Sequence, residues 1–431
     1  MEIYVVQPGD TIEEIANMYG VTAEQLIRDN ELPNPNDLLT GQAIVIVYPS
    51  ETYTVRYGDT LETIAASNNI TVNELLRNNP FIADRRYIYP GEKLAISFNR
   101  SASFSTYGYT NTFINKQILV KTLPYLTYLS IFNYQITDTG DARGDDGDIE
   151  IIQLAIEYSV IPLMHLATIT IQGEFDLELT YRLFYDEELQ DRLFENVLSI
   201  LRDKGYYGVV ISAQYITSEN QDLFFKYIQK FSERIGQEGY ITLVAVDPKV
   251  NTFDSDVTFE NIDYSRFPDS IYRILLIEYT WGIIKSPPGP IFSINSLNAL
   301  LDYILPQIDS SIISIGVPVL GYMWELPYVE GLSSSNSLTR DNVISLAVDV
   351  NATIQFDPVS QTPYFTFENS TGENVQHIVW FISPITIDSL MKVLIQRGVL
   401  SVGVWNIMAY FASLWLVINS QYEIVKLLPE T

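Results

Sequence analysis

The strongest constraint on what this chain can fold into is a repeat at its start. Tyr4-Val5-Val6-Gln7-Pro8-Gly9-Asp10-Thr11-Ile12 recurs as Tyr53-Thr54-Val55-Arg56-Tyr57-Gly58-Asp59-Thr60-Leu61. Downstream, Ile15-Ala16 matches Ile64-Ala65, Asp29-Asn30 matches Asn78-Asn79, and Gly41 matches Gly91. Each copy predicts strand, helix, helix, strand. The opening alternation is a half-buried strand, and Gly-Asp-Thr is a turn whose Asp or Thr caps the next helix. Asn30 and Asn79 close the second helix, and Gly41 or Gly91 turns the chain into the last strand. A unit of about 45 residues is marginal alone. Carried twice without a disulfide, it reads as a ligand-reading module.

After the short connectors Pro49-Ser50 and Asn99-Arg100-Ser101, apolar strands alternate with amphipathic helices. Strands are expected at 104–109, 127–135, 161–168, 208–215, 240–246, 272–280, 312–318 and 401–406. Eight strands alternating with helices imply a closed parallel (β/α)8 barrel. Leu320 to Ser383 is a polar insertion between strands seven and eight, expected to form a small α/β subdomain beside the cleft. The organisation is thus α/β: modules at 1–48 and 51–98, then a barrel at 103–431. The apolar stretch Val399 to Val417 approaches the length of a membrane span. It reads better as a buried barrel strand and a core-facing segment, because parallel strands are apolar on both faces.

The net charge of −28, from 53 acidic and 25 basic residues, argues against nucleic acid and anionic membrane as partners, since both would repel the chain. A neutral glycan remains open. There is no cysteine, and the two histidines are His165 and His377. Disulfides and thiolate metal sites are therefore excluded, and no metal or cofactor is expected. The opening MEIYVVQPGD has neither a basic n-region nor an apolar run, so no signal peptide is visible.

The Tyr-x-Val, Gly-Asp-Thr, Ile-Ala, Asn and closing Pro-Gly or Thr-Gly of each copy resemble the LysM family from end to end. That resemblance implies binding of N-acetylglucosamine-containing glycans, peptidoglycan or chitin. The groove lies between the Gly-Asp-Thr loop and the loop before the last strand, which makes Gly9, Asp10, Thr11, Gly58, Asp59 and Thr60 the expected contacts.

The barrel resembles family 18 glycoside hydrolases, in particular their LysM-linked spore-wall branch. The matching segments include Leu123-Pro124-Tyr125, Pro162-Leu163-Met164, Gly205-Tyr206-Tyr207-Gly208-Val209, Asp247-Pro248-Lys249, Tyr279-Thr280-Trp281-Gly282, Gly321 to Tyr328 and Gly403-Val404-Trp405. They span nearly all of 103–431. The family's strand-four signature is Asp-x-x-Asp-x-Asp-x-Glu. Its last three positions are two apart and so share the lumen face. In such enzymes the Glu protonates the leaving oxygen, and the Asp two before it orients the substrate's own acetamido group as nucleophile.

Aligned on Gly208, the four positions here are Tyr207, Val210, Ser212 and Gln214. None is a carboxylate, and an amide has no proton acidic enough for general acid catalysis. Leu320, Met323 and Ile382-Ser383 also depart from the branch pattern. Tyr279 and Trp405 match residues that contact the acetamido group and floor the central sugar subsite. With Gln214, Trp281 and Trp324 they are the expected substrate-binding set, because aromatic faces stack on the apolar faces of sugars.

Glu278 and Asp247 lie near strand ends as alternative acids, with Glu278 expected to face away from the lumen. Glu174 and the run Asp141, Asp145, Asp146 and Asp148 read as solvated loop residues. His165 reads as a hydrogen-bonded barrel histidine. Together these features predict a glycan-binding protein of a bacterial spore envelope or cell wall, with a hydrolase-like barrel that has lost its chemistry and with spore-envelope proteins as further partners. The alternatives are an N-acetylglucosaminidase using another acid, or a structural assembly protein.

Overall fold

Each repeat folds around its motif residues. The computed structural model describes residues 1–83, 85, 87–168, 176–213, 216–253, 256–277, 286–369 and 375–430. Glu2–Val5 pairs antiparallel with Ala43–Ile46, enclosing helices Ile12–Tyr19 and Ala23–Asn30. Glu51–Thr54 pairs likewise with Lys93–Ser97 around Leu61–Ser67 and Val72–Asn78. The threonine, rather than the aspartate, is the N-cap: Thr11 accepts from the Glu14 amide and Thr60 from the Thr63 amide, satisfying donors that a helix start leaves free.

The aspartate holds the turn. Asp10 accepts from the Tyr4 hydroxyl (2.6 Å) and the Gln7 amide (2.7 Å), and Asp59 accepts from Tyr53 (2.9 Å) and the Arg56 amide (2.7 Å). Gly9 and Gly58 both sit at φ +88° with no atom near a would-be Cβ, so backbone conformation alone demands glycine. Asn30 donates to the Leu26 and Val45 carbonyls and accepts from the Val45 amide. Asn79 repeats the pattern on Leu75 and Ala95. A buried amide thus ties the second helix to the last strand in each copy, and in the second copy Asn78 adds another by donating to the Ile96 carbonyl (2.7 Å).

The barrel strands are Ala102–Asn111, Tyr128–Ile136, Ile161–Ala167, Gly208–Ala213, Ile241–Val246, Arg273–Leu276, Ile313–Pro318 and Ser401–Trp405. Each pairs parallel with the next, and the eighth pairs with the first, which closes the sheet. Tyr107, Tyr109, Tyr128, Leu163, Val210, Leu243, Ala245, Leu275 and Ile277 fill the lumen as one buried cluster. Alternate residues such as Val209, Val244 and Ile274 face the helices. The stretch Val399 to Val417 resolves into the eighth strand and the start of helix Ala412–Gln421. Among the described residues, no helix is long and apolar enough to cross a membrane.

The insertion is a five-stranded sheet carrying helix Arg340–Asp349, with its own core of Val343, Ile344, Ala347, Phe365, Val379 and Phe381. Leu39 of the first module is buried in that same core. The connector arginine Arg100 is no mere spacer. Its guanidinium donates to Glu74 (2.8 Å), Glu423 (2.6 Å), Asn78 (2.7 Å) and both the side chain and the carbonyl of Asn419. Arg77, 2% exposed, bonds Glu423 (2.9 Å) and Glu430 (3.0 Å). Two guanidiniums therefore fasten the second module to the chain's C-terminal segment.

Breaking a mostly buried ion network strands its partners. Arg100→Ala is expected to cost about 2–3 kcal/mol. Hydrogen exchange across Asn78 and Ser97–Ser101 should accelerate while the barrel strands stay protected. Unchanged exchange there would show that apolar contacts alone hold the module.

Candidate functional site

In a parallel barrel, ligands meet the C-terminal strand ends. On strand four, Val210 lies buried in the lumen cluster and Ser212 stands two residues above it on the same face. The expected alternation of 210 and 212 into the lumen is thus present. Tyr207 precedes the strand, is 40% exposed, and uses its backbone to bridge Pro162 and Ile241. Gln214, Tyr279 and Trp281, with Glu174 and Glu278, lie outside the described residues.

Ser212 does not stand alone. Its hydroxyl is 2.7 Å from His165 Nε2, and His165 Nδ1 is 2.9 Å from the Ser130 hydroxyl. The three residues run across strands four, three and two as one polar chain, buried at Ser130 and His165 and half-buried at Ser212. His165 is 1% exposed. Burial disfavours its charged form and pushes its pKa down to about 3, so the ring is neutral. A neutral imidazole has one donor and one acceptor, and two serine hydroxyls use both. The histidine is a satisfied barrel residue, as its sequence context suggested.

Aromatic rings continue this floor. Tyr109 meets His165 edge-on at 6.0 Å and Trp405 at 5.0 Å. Trp405 is half-buried at the end of strand eight, where its peptide bond to Asn406 is cis. Its side chain is therefore not fully enclosed. Trp324, by contrast, is enclosed. It is 1% exposed and its indole NH donates to the Ser286 carbonyl at 2.9 Å. Its inclusion among the sugar-binding residues is therefore corrected, for a ring enclosed by core has no face to stack on a sugar.

Of the alternative acids, Asp247 follows strand five directly. Burial pushes its carboxyl up to about 6, opposed by the Lys249 amide it accepts from (2.9 Å) and by the Lys249 charge. In register, the strand-five pairing ends at Val246 against Ala213, and Asp247 lies just beyond that last pair.

In the acidic run 141–148, Asp145 and Asp146 are exposed as the solvated reading expects, but Asp148 departs from it. Asp148 is fully buried and accepts from Tyr134 (2.8 Å), Tyr206 (2.7 Å) and Lys204 (2.7 Å). Burial raises its pKa, but these three donors outweigh it and hold the carboxyl below its usual value. Asp141 pairs with Arg192 at the surface, so Asp148 is the member that braces the fold. The signal sequence reasoning missed was the tyrosine and lysine donors, which are remote in the chain.

Comparison with known proteins agrees with this architecture. The LysM domain profile matches residues 4–47 and 53–97, and the profile of glycosyl hydrolases family 18 matches 168–409. A cortical fragment-lytic enzyme of Bacillus subtilis (strain 168) is 30% identical over 433 residues, covering 99% of each chain. One from Bacillus anthracis is 29% identical over 99% of each. The crystal structure of the Bacillus megaterium QM B1551 spore cortex-lytic enzyme SleL superposes with a TM-score of 0.79 at 25% identity, covering 98% of both chains.

The neutral histidine has a measurable consequence. A histidine whose folded pKa lies below the unfolded value of about 6.5 binds a proton more readily when unfolded. Stability is therefore full above about pH 6.5 and falls as pH drops towards 3, by at most about 1.4 kcal/mol per pH unit from this group. His165 ring resonances should not titrate between pH 5 and 8. A midpoint near 6.5 would mean that the chain of hydroxyls is open to water.

Proposed function

The chain belongs to glycosyl hydrolase family 18, and on that premise we propose that it is a peptidoglycan-binding protein of the bacterial spore envelope whose barrel holds N-acetylglucosamine-containing glycan without the family's substrate-assisted hydrolysis. One observation carries this reading. At position 212, where the reaction needs a carboxylate to orient and charge-balance the acetamido nucleophile, a serine hydroxyl is bound to a neutral imidazole.

The surrounding residues support it. No charge at 212 can stabilise an oxazolinium-like intermediate. Val210 is apolar and enclosed. The sequence places an amide at 214, which cannot deliver a proton to a leaving oxygen. Loss of general acid catalysis alone is worth roughly 10²–10⁴-fold. Trp405, half-buried and packed on the enclosed Tyr109, keeps a ring on which a sugar can rest. The LysM modules supply attachment to the wall, and the relatives named for lysis of spore cortex support the spore envelope as the place. Spore-envelope proteins are the further partners this location offers.

A second reading has one observation in its favour. Asp247 carries a carboxyl raised to about 6, a value suited to proton donation near neutrality. If it were the acid, turnover would fall as pH rises past about 6, because the donor must be protonated.

We expect the native chain to release no product from N-acetylglucosamine oligomers or cortex fragments, measured by chromatography of reaction products. Ser212→Asp with Gln214→Glu restores the two acids of the family signature, and should yield weak release that the native chain lacks. Turnover by the native chain that disappears in Asp247→Asn would contradict the binding reading and establish the second.

A further inference from the structure

The two LysM copies share a motif but not an environment. The loop before the last strand is one wall of the expected glycan groove. In the first copy that wall is used by the barrel's insertion. Leu39 is 6% exposed within the insertion's core, and the Thr40 carbonyl accepts from the Ile354 amide at 2.9 Å. A Cβ on Gly41 would lie 2.0 Å from the Ile354 carbonyl oxygen, so only glycine permits this approach. In the second copy Gly91, the matching residue, has nothing within 4 Å.

Side chains diverge in the same sense. Pro8, Asp37 and Leu39 of the first copy stand where the second has Tyr57, Tyr87 and Tyr89. Those tyrosines are 96%, 53% and 54% exposed. Tyr87 and Tyr89 meet edge-on at 5.4 Å, and the Arg85 guanidinium lies 5.4 Å from each ring while paired with Glu92 at 2.6 Å. Tyr57 stands in the Gly-Asp-Thr loop, the opposite wall. Exposed rings on both walls suit the stacked apolar faces of a neutral sugar chain, which the acidic surface of the molecule does not repel.

From these contrasts we infer that the copies have divided their labour: the first is a docking element seated on the insertion, and the second alone reads glycan, through Tyr57, Tyr87 and Tyr89. This rests on the glycan-binding reading above, and it replaces two linked attachment sites with one. Avidity then has to come from the barrel or from neighbouring molecules rather than from paired modules.

Hydrogen exchange of the full chain with an N-acetylglucosamine pentamer tests it. Protection is expected at 56–60 and 87–92, with none at 7–11 or 37–41. Tyr57→Ala with Tyr89→Ala should abolish that protection and weaken sedimentation with cortex peptidoglycan about tenfold or more, whereas Pro8→Ala with Asp37→Ala leaves both unchanged. The double tyrosine variant should fold, because both rings are solvent-facing. Protection at 7–11 and 37–41, or sedimentation insensitive to the tyrosines, would overturn the division while leaving glycan binding intact. A native chain that neither gains protection anywhere nor sediments would overturn both.

Discussion

Closure of eight parallel strands into a barrel imposes a two-residue alternation on every strand, and the rest of the molecule is arranged around it. Residues such as Val209 and Val244 turn outward to the helices, while Val210, Leu243 and Leu275 fill the lumen. One layer above, the same rule lifts Ser212 and His165 to the floor of the cleft. The positions open to chemistry are therefore few and set by register. What the protein can do depends on which side chains occupy them. Asp247 follows strand five with its raised carboxyl, whereas Ser130, His165 and Ser212 on strands two to four satisfy each other. Such mutual satisfaction is what a buried polar cluster requires.

The same economy of buried charge joins the domains. Arg77 and Arg100 gather Glu74, Glu423 and Glu430 at the junction of the second module with the C-terminal segment. Lys426 ties the same C-terminal segment to the barrel by donating to the Leu123, Leu126 and Tyr158 carbonyls. The first module is attached differently, by the apolar Leu39 and a backbone bond to Ile354. Both modules pair ions with the rest of the chain, Glu31 of the first with Lys121, but the first is in addition buried against the insertion. Their surfaces are consequently not equivalent, even though their motifs are.

Much of this was legible in the sequence because the relevant signals are local and periodic. The eight strands follow from apolar runs of strand length, and the observed spans fall within a few residues of those expected. The repeat disclosed both modules, and Thr11 and Thr60 were among the two capping choices that a Gly-Asp-Thr turn allows. Long-range pairings were not legible. Arg100 looked like a connector because its partners Glu423 and Asn419 lie some 320 residues away. Asp148 looked solvated because its tyrosine and lysine donors come from other elements. Trp324 looked like a sugar platform because a tryptophan near a strand end carries no mark of its own burial. Sequence patterning reports which face a residue takes, and only packing reports what that face meets.

The central claim is that glycan is held in the barrel and left whole. A crystal structure of the native chain soaked with an N-acetylglucosamine tetramer tests it most directly. The account predicts an intact tetramer in the cleft with one sugar ring stacked on Trp405, near Ser212 but with no covalent or oxazoline product. A cleaved oligomer in the cleft, or an occupied LysM groove beside a barrel that takes up no sugar, would contradict it.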